Sequence, residues 1–515
     1  MADIFETGRL REFRVILKNA DGSRAIGITN LIMQMSITED IFKNTLYGSI
    51  RIRDAINLLG GRVSNFPILG EEFIEIDYTV DWIPEPISVS LRFAVFGISS
   101  IEYYDNNTKK EYTLNICSEE NLFDATTLVM KGYSGLNSDN VKSILEDYLF
   151  INQKDIQNKG KRIKKIDKLQ ETKGIQNVCI PRLPPIEAAH FLARRSIADS
   201  TFKSGTYLFF ENFNGFNFCD IEYLIAAGIE KAKDEGALDD SEDAISDFKY
   251  VYENPMISIK NQINLREKQT IINMYHRSFF DTLEKLKQGM FESNILVYDY
   301  VNKKTISNRF RFLNNTDKTN NDSMTLGGKN DQSFPENSVT FMNKVVSKLE
   351  DNSDAKYNKF FFIPKDNSST TNDTYLEQIY PARASYLTRL AQNMFTIDTF
   401  GNPRINAGDV IYINIPSGEG REPESYPDNR FISGFYLVCT INHIFTQTTY
   451  QAKMDIYKNA FSEKVESTDE AKNTKVTGND NNALSNQYFR EPVDLLDDII
   501  PDQGSLNNFL NRFLK

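Results

Sequence analysis

The residues able to do chemistry are few and poorly placed for it. The 515-residue chain holds three histidines, His190, His276 and His443, and four cysteines, Cys117, Cys179, Cys219 and Cys439. No histidine belongs to an HExxH motif, and none stands at ligand spacing from a cysteine. The cysteines form no CxxC pair, which argues against a zinc site or a disulfide framework and suits a reducing compartment. GxSxG and GxGxxG are missing, and "TLGGK" at 325–329 lacks the rest of a phosphate loop. Carboxylate pairs such as Glu71–Glu72 and Glu119–Glu120 fall at turns, and nothing singles out an acid–base couple among 71 acidic residues. The sequence therefore predicts no catalytic residues, no cofactor and no metal.

Charge points the same way. A net charge of -12 argues against general nucleic-acid binding. The basic run "GKRIKKIDK" reads as a solvated face or loop. No stretch of about 18 apolar residues exists, so no transmembrane helix is expected. The N-terminus, "MADIFETGRLREF", lacks the apolar core of a signal peptide, and assembly in a cytoplasm is expected.

What must be positioned is then a set of surfaces. In "NTLYGSIRIRDAINLLGG", residues 44–61, Leu46, Gly48, Ile50 and Ile52 share one face of a strand. Tyr47, Ser49, Arg51 and Arg53 share the other. Arg51 and Arg53 are the candidate contacts to a neighbouring barrel or to a channel. Asp54 opens a short apolar turn behind them.

Residues 1–122 read as six or seven strands, enough for a small antiparallel barrel. "EFRVILKNADGSRAIGIT" is a hairpin about Asn-Ala-Asp-Gly, and "LRFAVFGISSIEYY" with "KEYTLNICS" is another. Residues 123–250 change to α+β. Val141, Ile144, Leu145, Tyr148 and Leu149 mark a helix capped by Ser138 or Asp139. Pro184 and Pro185 start a second helix around His190, which reads as a core or interface histidine. "GTYLFFENFNGFNFCDIEYLI" is a hairpin turned at Asn212 to Gly215.

A second barrel is expected over 251–312 and 376–462. Residues 281–300 echo 39–54, each an acidic lead-in to an alternating strand ending at Asp. Gly70, Phe93, Tyr112 and Phe123 stand 338 residues before Gly408, Phe431, Tyr450 and Phe461, which predicts a duplicated β domain. Residues 313–375 form a polar insertion with one helix, "SVTFMNKVVSKLED". Residues 463–515 are a polar linker and a terminal amphipathic helix. Its stripe, Leu506, Phe509, Leu510, Phe513 and Leu514, would cap the chain's own core or dock a partner. The expected fold is thus mainly β with α+β parts: two similar tube-like barrels, a central α+β domain, an insertion and a C-terminal helix.

Several of these segments, in this order, resemble the baseplate hub proteins of contractile-tailed phages. They are "YGSIRIRDAINLL", "FPILGEEFIEI", "GMFESNILVYDYVNKKT" and "FISGFYLVCTINHIFTQTTYQAKMDIYKNAF", with the central "IPRLPPIEAAHFLARRS" and "SGTYLFFENFNGFNFCDIEYL" the most specific. The resemblance spans about 8–312 and 376–462. It implies a homotrimer whose six barrels form a ring, three-fold by chain and nearly six-fold by shape. Such a ring would join a three-fold central spike protein to a six-fold tail tube protein, with baseplate wedge proteins at its rim. It implies a virion protein that recognises no nucleic-acid sequence, although phage DNA passes through its channel, and that makes no stable membrane insertion. Two other readings stand beside it. One is a tip protein of a non-contractile tail or the hub of a related injection system such as a type VI secretion spike. The other is a cell-wall hydrolase with its activity in the central domain.

Overall fold

The computed structural model describes residues 8–59, 68–80, 86–104, 109–151, 164–199, 205–238, 246–252, 270–278, 287–290, 292–299, 303–311, 360–365, 375–391, 393–416 and 432–459, with 283 and 429. The first half supplies seven strands: β1 (Glu12–Lys18), β2 (Ala25–Gly27), β3 (Ile32–Asp40), β4 (Tyr47–Asp54), β5 (Phe73–Val80), β6 (Ile87–Tyr104) and β7 (Lys109–Ser118). They pair antiparallel in the order β3-β4-β7-β6-β5-β1-β2. Alternation does the sorting. In β5 Ile74, Ile76, Tyr78 and Val80 are buried and the residues between them are not. A single apolar core results, to which Val15, Met35, Ile50, Ile52, Leu114 and Ile116 also belong. The 3-10 turn Thr29–Leu31 ties β1 back towards β3, because Val15 N–H donates to Thr29 Oγ1 at 2.8 Å.

The central part holds α1 (Glu120–Thr126), β8 (Gly132–Gly135), α2 (Asn137–Tyr148), β9 (Ile166–Leu169), β10 (Gln176–Cys179), α3 (Pro185–Ala193), β11 (Tyr207–Asn212), β12 (Gly215–Asp220) and α4 (Ile221–Asp234). Helix α2 starts one residue earlier than its expected caps. Ser138 lies in its first turn, and Thr172 Oγ1 accepts the Ser138 N–H at 3.1 Å. A hydroxyl brought in by the fold replaces the local cap. The β11–β12 turn is as expected: Asn212 Oδ1 accepts N–H groups of Asn214 and Gly215. Only glycine fits at 215, where φ is +141° and a Cβ would lie 2.2 Å from Lys165 O.

The second half holds β13 (Lys249–Val251), β14 (Asn273–Ser278), β15 (Glu292–Asp299), β16 (Lys304–Arg311), β17 (Phe360–Lys365), α5 (Leu376–Leu390), β18 (Asn393–Phe400), β19 (Val410–Asn414), β20 (Gly434–Phe445) and β21 (Tyr450–Lys458). Its sheet runs β14-β18-β21-β20-β19-β13, the same sequence of places as β3-β4-β7-β6-β5-β1. Helix α4 lies on this sheet, and Gly228 meets Val410 so closely that a Cβ would come within 2.5 Å of it.

Three expectations change. Strand β15 is not the counterpart of β4: it pairs with β16 and β17 in a separate three-stranded sheet, and β18 takes the β4 place. The constant 338-residue register does not hold either. Val95 N–H donates to Glu72 O and Val438 N–H to Asp409 O, both at 2.9 Å, so these are the matching positions. The strand pairings place Ala452, not Tyr450, opposite the role of Tyr112. Only the turn glycines come near the expected match, Gly70 at φ +97° and Gly408 at φ +92°; Phe431 and Phe461 lie outside the described residues. Finally, among the described residues neither half closes into a separate barrel. Both belong to one 13-stranded sheet.

Candidate assembly interface

The two halves join along a seam. Strand β20 carries β21 on one edge and, end to end on the other, β19 and β3. β19 covers Gly434–Leu437 and β3 covers Thr440–Phe445. Strand β6 repeats half of this arrangement. β7 lies on one edge, and β5 covers Ile87–Ala94 on the other. Among the described residues no backbone pairing is formed on that second edge from Phe96 to Tyr104. The counterpart of β3 is β14, which among the described residues pairs with β18 alone. Among the described residues the chain thus carries one completed seam and, at β6 and β14, two unpaired edges in places like those of its two sides. Each open edge carries exposed aromatic side chains: Phe96 is 55%, Tyr103 58% and Tyr275 55% exposed. Such edges invite strand addition.

Buried charges clamp the seam to the central part. Glu39 of β3 is fully buried. Its Oε1 accepts from Phe213 N–H at 3.2 Å and its Oε2 from Ala407 N–H at 2.8 Å. His443 of β20 puts Nε2 3.3 Å from Glu39 Oε1, and its Nδ1 lies 2.8 Å from the Tyr450 hydroxyl. Phe213 stacks on the His443 ring at 4.5 Å. One carboxylate therefore binds β3, the β11–β12 turn, the loop before β19 and β20.

A second clamp centres on Glu211 of β11. Its Oε2 accepts from Leu46 N–H at 3.1 Å and from Ser118 Oγ at 2.6 Å. Lys164 donates to both Glu211 and Glu120. Burial pushes the Glu120 carboxyl above its usual range, opposed by Lys164. Burial alone would lower Lys164, but Glu211 and Glu120 hold it above its ordinary value. Lys164 of the basic run is thus a half-buried structural cation, while its neighbour Lys165 is exposed.

Arg51 and Arg53 do stand on the open face of β4. Both reach Glu111 of β7, with Arg51 Nη2 at 3.2 Å from Oε2 and Arg53 Nε at 2.7 Å from Oε1. The hydrogen bond from Arg53 leads the effects that hold Glu111 below the usual carboxylate range. Asp54 does what its place before the turn suggests: Oδ1 accepts from Ile56 N–H at 3.0 Å and Oδ2 from Leu58 N–H at 2.7 Å. The C-terminal helix, with Leu506, Phe509, Leu510, Phe513 and Leu514, lies outside the described residues, as does "SVTFMNKVVSKLED". Among the described residues no group of three or more His, Cys, Asp or Glu could hold a metal ion.

Sequence reasoning missed Glu39 and Glu211. Glu211 carried a signal, an acid inside the apolar run "YLFFEN". Glu39 carried none, because "SITED" reads as a polar strand end.

No protein-family model matches the chain. No curated protein matches it either. Solved structures do. It is similar to a tail protein from Neisseria meningitidis at 9% identity and a TM-score of 0.44, over 87% of this chain and 97% of that one. It is similar to a 43 kDa tail protein of prophage MuSo2 from Shewanella oneidensis at 9% identity and a TM-score of 0.45, over 87% and 99%. A chain of the Francisella PdpA–VgrG complex aligns at 9% identity and a TM-score of 0.39, over 89% and 60%.

Proposed function

We propose that this chain is the structural hub of a phage tail baseplate, a homotrimer that adapts a three-fold central spike to a six-fold tail tube within the virion, with wedge proteins at its rim. The observation that supports it is the seam. The β3–β20 pairing joins two similar six-strand units inside one chain, and in this reading the β14 and β6 edges meet as the two sides of a like seam between chains. Repeating one junction around an axis builds a closed ring. With two units per chain, three chains make six units, which fits the sequence resemblance. Strand addition contributes main-chain hydrogen bonds, and Phe96, Ile101 and Tyr275 add apolar area at the same edges.

Light scattering tests this reading. The full chain should run at three chain masses, and Ile101→Asp or Tyr275→Asp should shift it towards the monomer without loss of β-sheet signal. A trimer indifferent to both substitutions would mean that the chains meet elsewhere.

A further inference from the structure

A cleft of about 340 Å³ lies where three parts of the chain meet, beside the end of the seam, for Ile41 in its lining donates its N–H to Cys439 O of β20 at 3.0 Å. Its walls are Phe42 from the β3–β4 loop, Leu208 of β11, His190 and Arg194 at the end of α3, and Tyr380 and Arg383 on one face of α5. Three of these six groups are basic, and none of the residues lining the cleft is acidic. Among the described residues neither guanidinium has a carboxylate partner. Arg383 lines the cleft, and its Nη2 donates to Tyr207 O at 2.9 Å. His190 Nδ1 is buried with no hydrogen-bond partner. The three groups repel one another: burial and then Arg194 lower Arg383, opposed by Asp220, and burial followed by both arginines lowers His190. In a chain of net charge -12, a concentration of positive charge whose one nearby carboxylate, Asp220, acts on Arg383 without an ion-pair contact is costly unless something else neutralises it.

We infer that this cleft binds a carboxylate carried beside an apolar side chain on a partner polypeptide. The two guanidiniums can hold the carboxylate through charge-assisted hydrogen bonds, His190 can add a further one, and Phe42, Leu208 and Tyr380 can cover the apolar neighbour. That the occupant is a polypeptide rests on the structural role proposed above. The apolar walls favour it over a bare inorganic anion, which would leave them wet.

Calorimetry on the full chain decides the matter, with N-acetyl-phenylalanyl-glutamate as probe and its uncharged glutamine amide as control. The acid should bind at least tenfold more tightly than the amide. Arg194→Ala removes an exposed side chain with no hydrogen bond of its own and should lower affinity for the acid at least tenfold; Arg383→Lys should do so too while keeping a donor for Tyr207. Equal binding of acid and amide, or full affinity in Arg194→Ala, would overturn the inference. Competition by millimolar phosphate would reduce the cleft to a simple anion hole, and binding of 3-phenylpropionate as tight as the peptide would make it a small-acid site; either result contradicts a polypeptide occupant. The mass of Arg194→Ala in solution is measured in parallel, because that value bears on the trimer alone.

Discussion

Glu39 Oε1 lies 3.3 Å from His443 Nε2, and the two residues are 404 positions apart in the chain and both buried. The pair faces itself across the β3–β20 seam. An Nε2–H on this ring donates to the carboxylate, and Nδ1 meets the Tyr450 hydroxyl. Glu39 then answers three donors, and the seam is specified by polar chemistry as well as by strand pairing.

Removing that carboxylate should be severe. Glu39→Leu leaves the Phe213 and Ala407 N–H groups and His443 buried without their acceptor. A loss of about 3–5 kcal/mol is expected in denaturant unfolding. Glu39→Gln keeps one acceptor oxygen and should lose about half as much. Equal effects would mean that charge, not acceptor count, matters at this position.

The Glu120–Lys164–Glu211 cluster gives a test by double substitution. Lys164→Met leaves two buried carboxylates facing each other and should cost about 3–5 kcal/mol at pH 7. Adding Glu120→Gln should recover a large part of this loss, because one charge of the unmatched pair is removed. The signs also set the pH behaviour. Glu120 is held above its usual value when folded, so the folded state keeps a proton that the unfolded chain releases. Its contribution falls as pH rises through that window. Lys164 is raised, so its contribution is complete below the ordinary lysine value and is lost at higher pH. Unfolding of Lys164→Met should therefore improve, relative to the parent, as the solution is made more acidic.

Lys458 runs the other way. It is fully buried at the end of β21, where Nζ donates to Ser433 O at 2.8 Å and to Ile432 O at 3.2 Å, 5.0 Å from the Tyr436 ring. Burial pulls its pKa down to about 7. Between about 7 and the ordinary lysine value the unfolded chain binds more protons, so stability rises with pH across that range. Below about 7 the full cost of the buried cation is present, on the order of a few kcal/mol. Lys458→Met should be more stable than the parent at pH 6 and should lose the rise between pH 7 and 10. A parallel pH profile in the variant would show that the ammonium is not the source.

Gly215→Ala tests the turn that carries Phe213 to Glu39. The new Cβ would meet Lys165 O in a backbone conformation that L side chains rarely adopt. A loss of about 2–4 kcal/mol is expected, with Lys165 and the β9 pairing displaced.

The strands of the first half and the β11–β12 hairpin were legible because alternation and turn residues are local signals. Asn212, Gly215 and Gly22 announce turns by their own chemistry. Partner choice is not local. Strand β15 shows the alternation and terminal Asp of β4, yet it pairs with β16 and β17, and nothing in period-2 patterning encodes which edge a strand will meet. The equal 338-residue spacing failed for a related reason: the bulge between Val95 and Gly97 has its match between Val438 and Thr440, but the irregularity between Ser99 and Glu102 of β6 has none in β20, so the two hairpins differ in register while keeping their order. The clamps were the least legible, since Glu39 finds its acceptor role through donors 174 and 368 residues away.

The seam itself can be read most directly by cross-linking. Ala94 and Leu437 occupy like places against β5 and β19, so Ser99 of β6 matches Asn442 of β20, each five residues further on. Asn442 pairs with Thr38 of β3, whose counterpart on β14 is Ser278. A chain carrying Ser99→Cys and Ser278→Cys, with the exposed Cys179 changed to serine, should oxidise to covalent dimers and trimers and stop there. Trimers that form in solution yet give no covalent species above the monomer would contradict a seam repeated between chains.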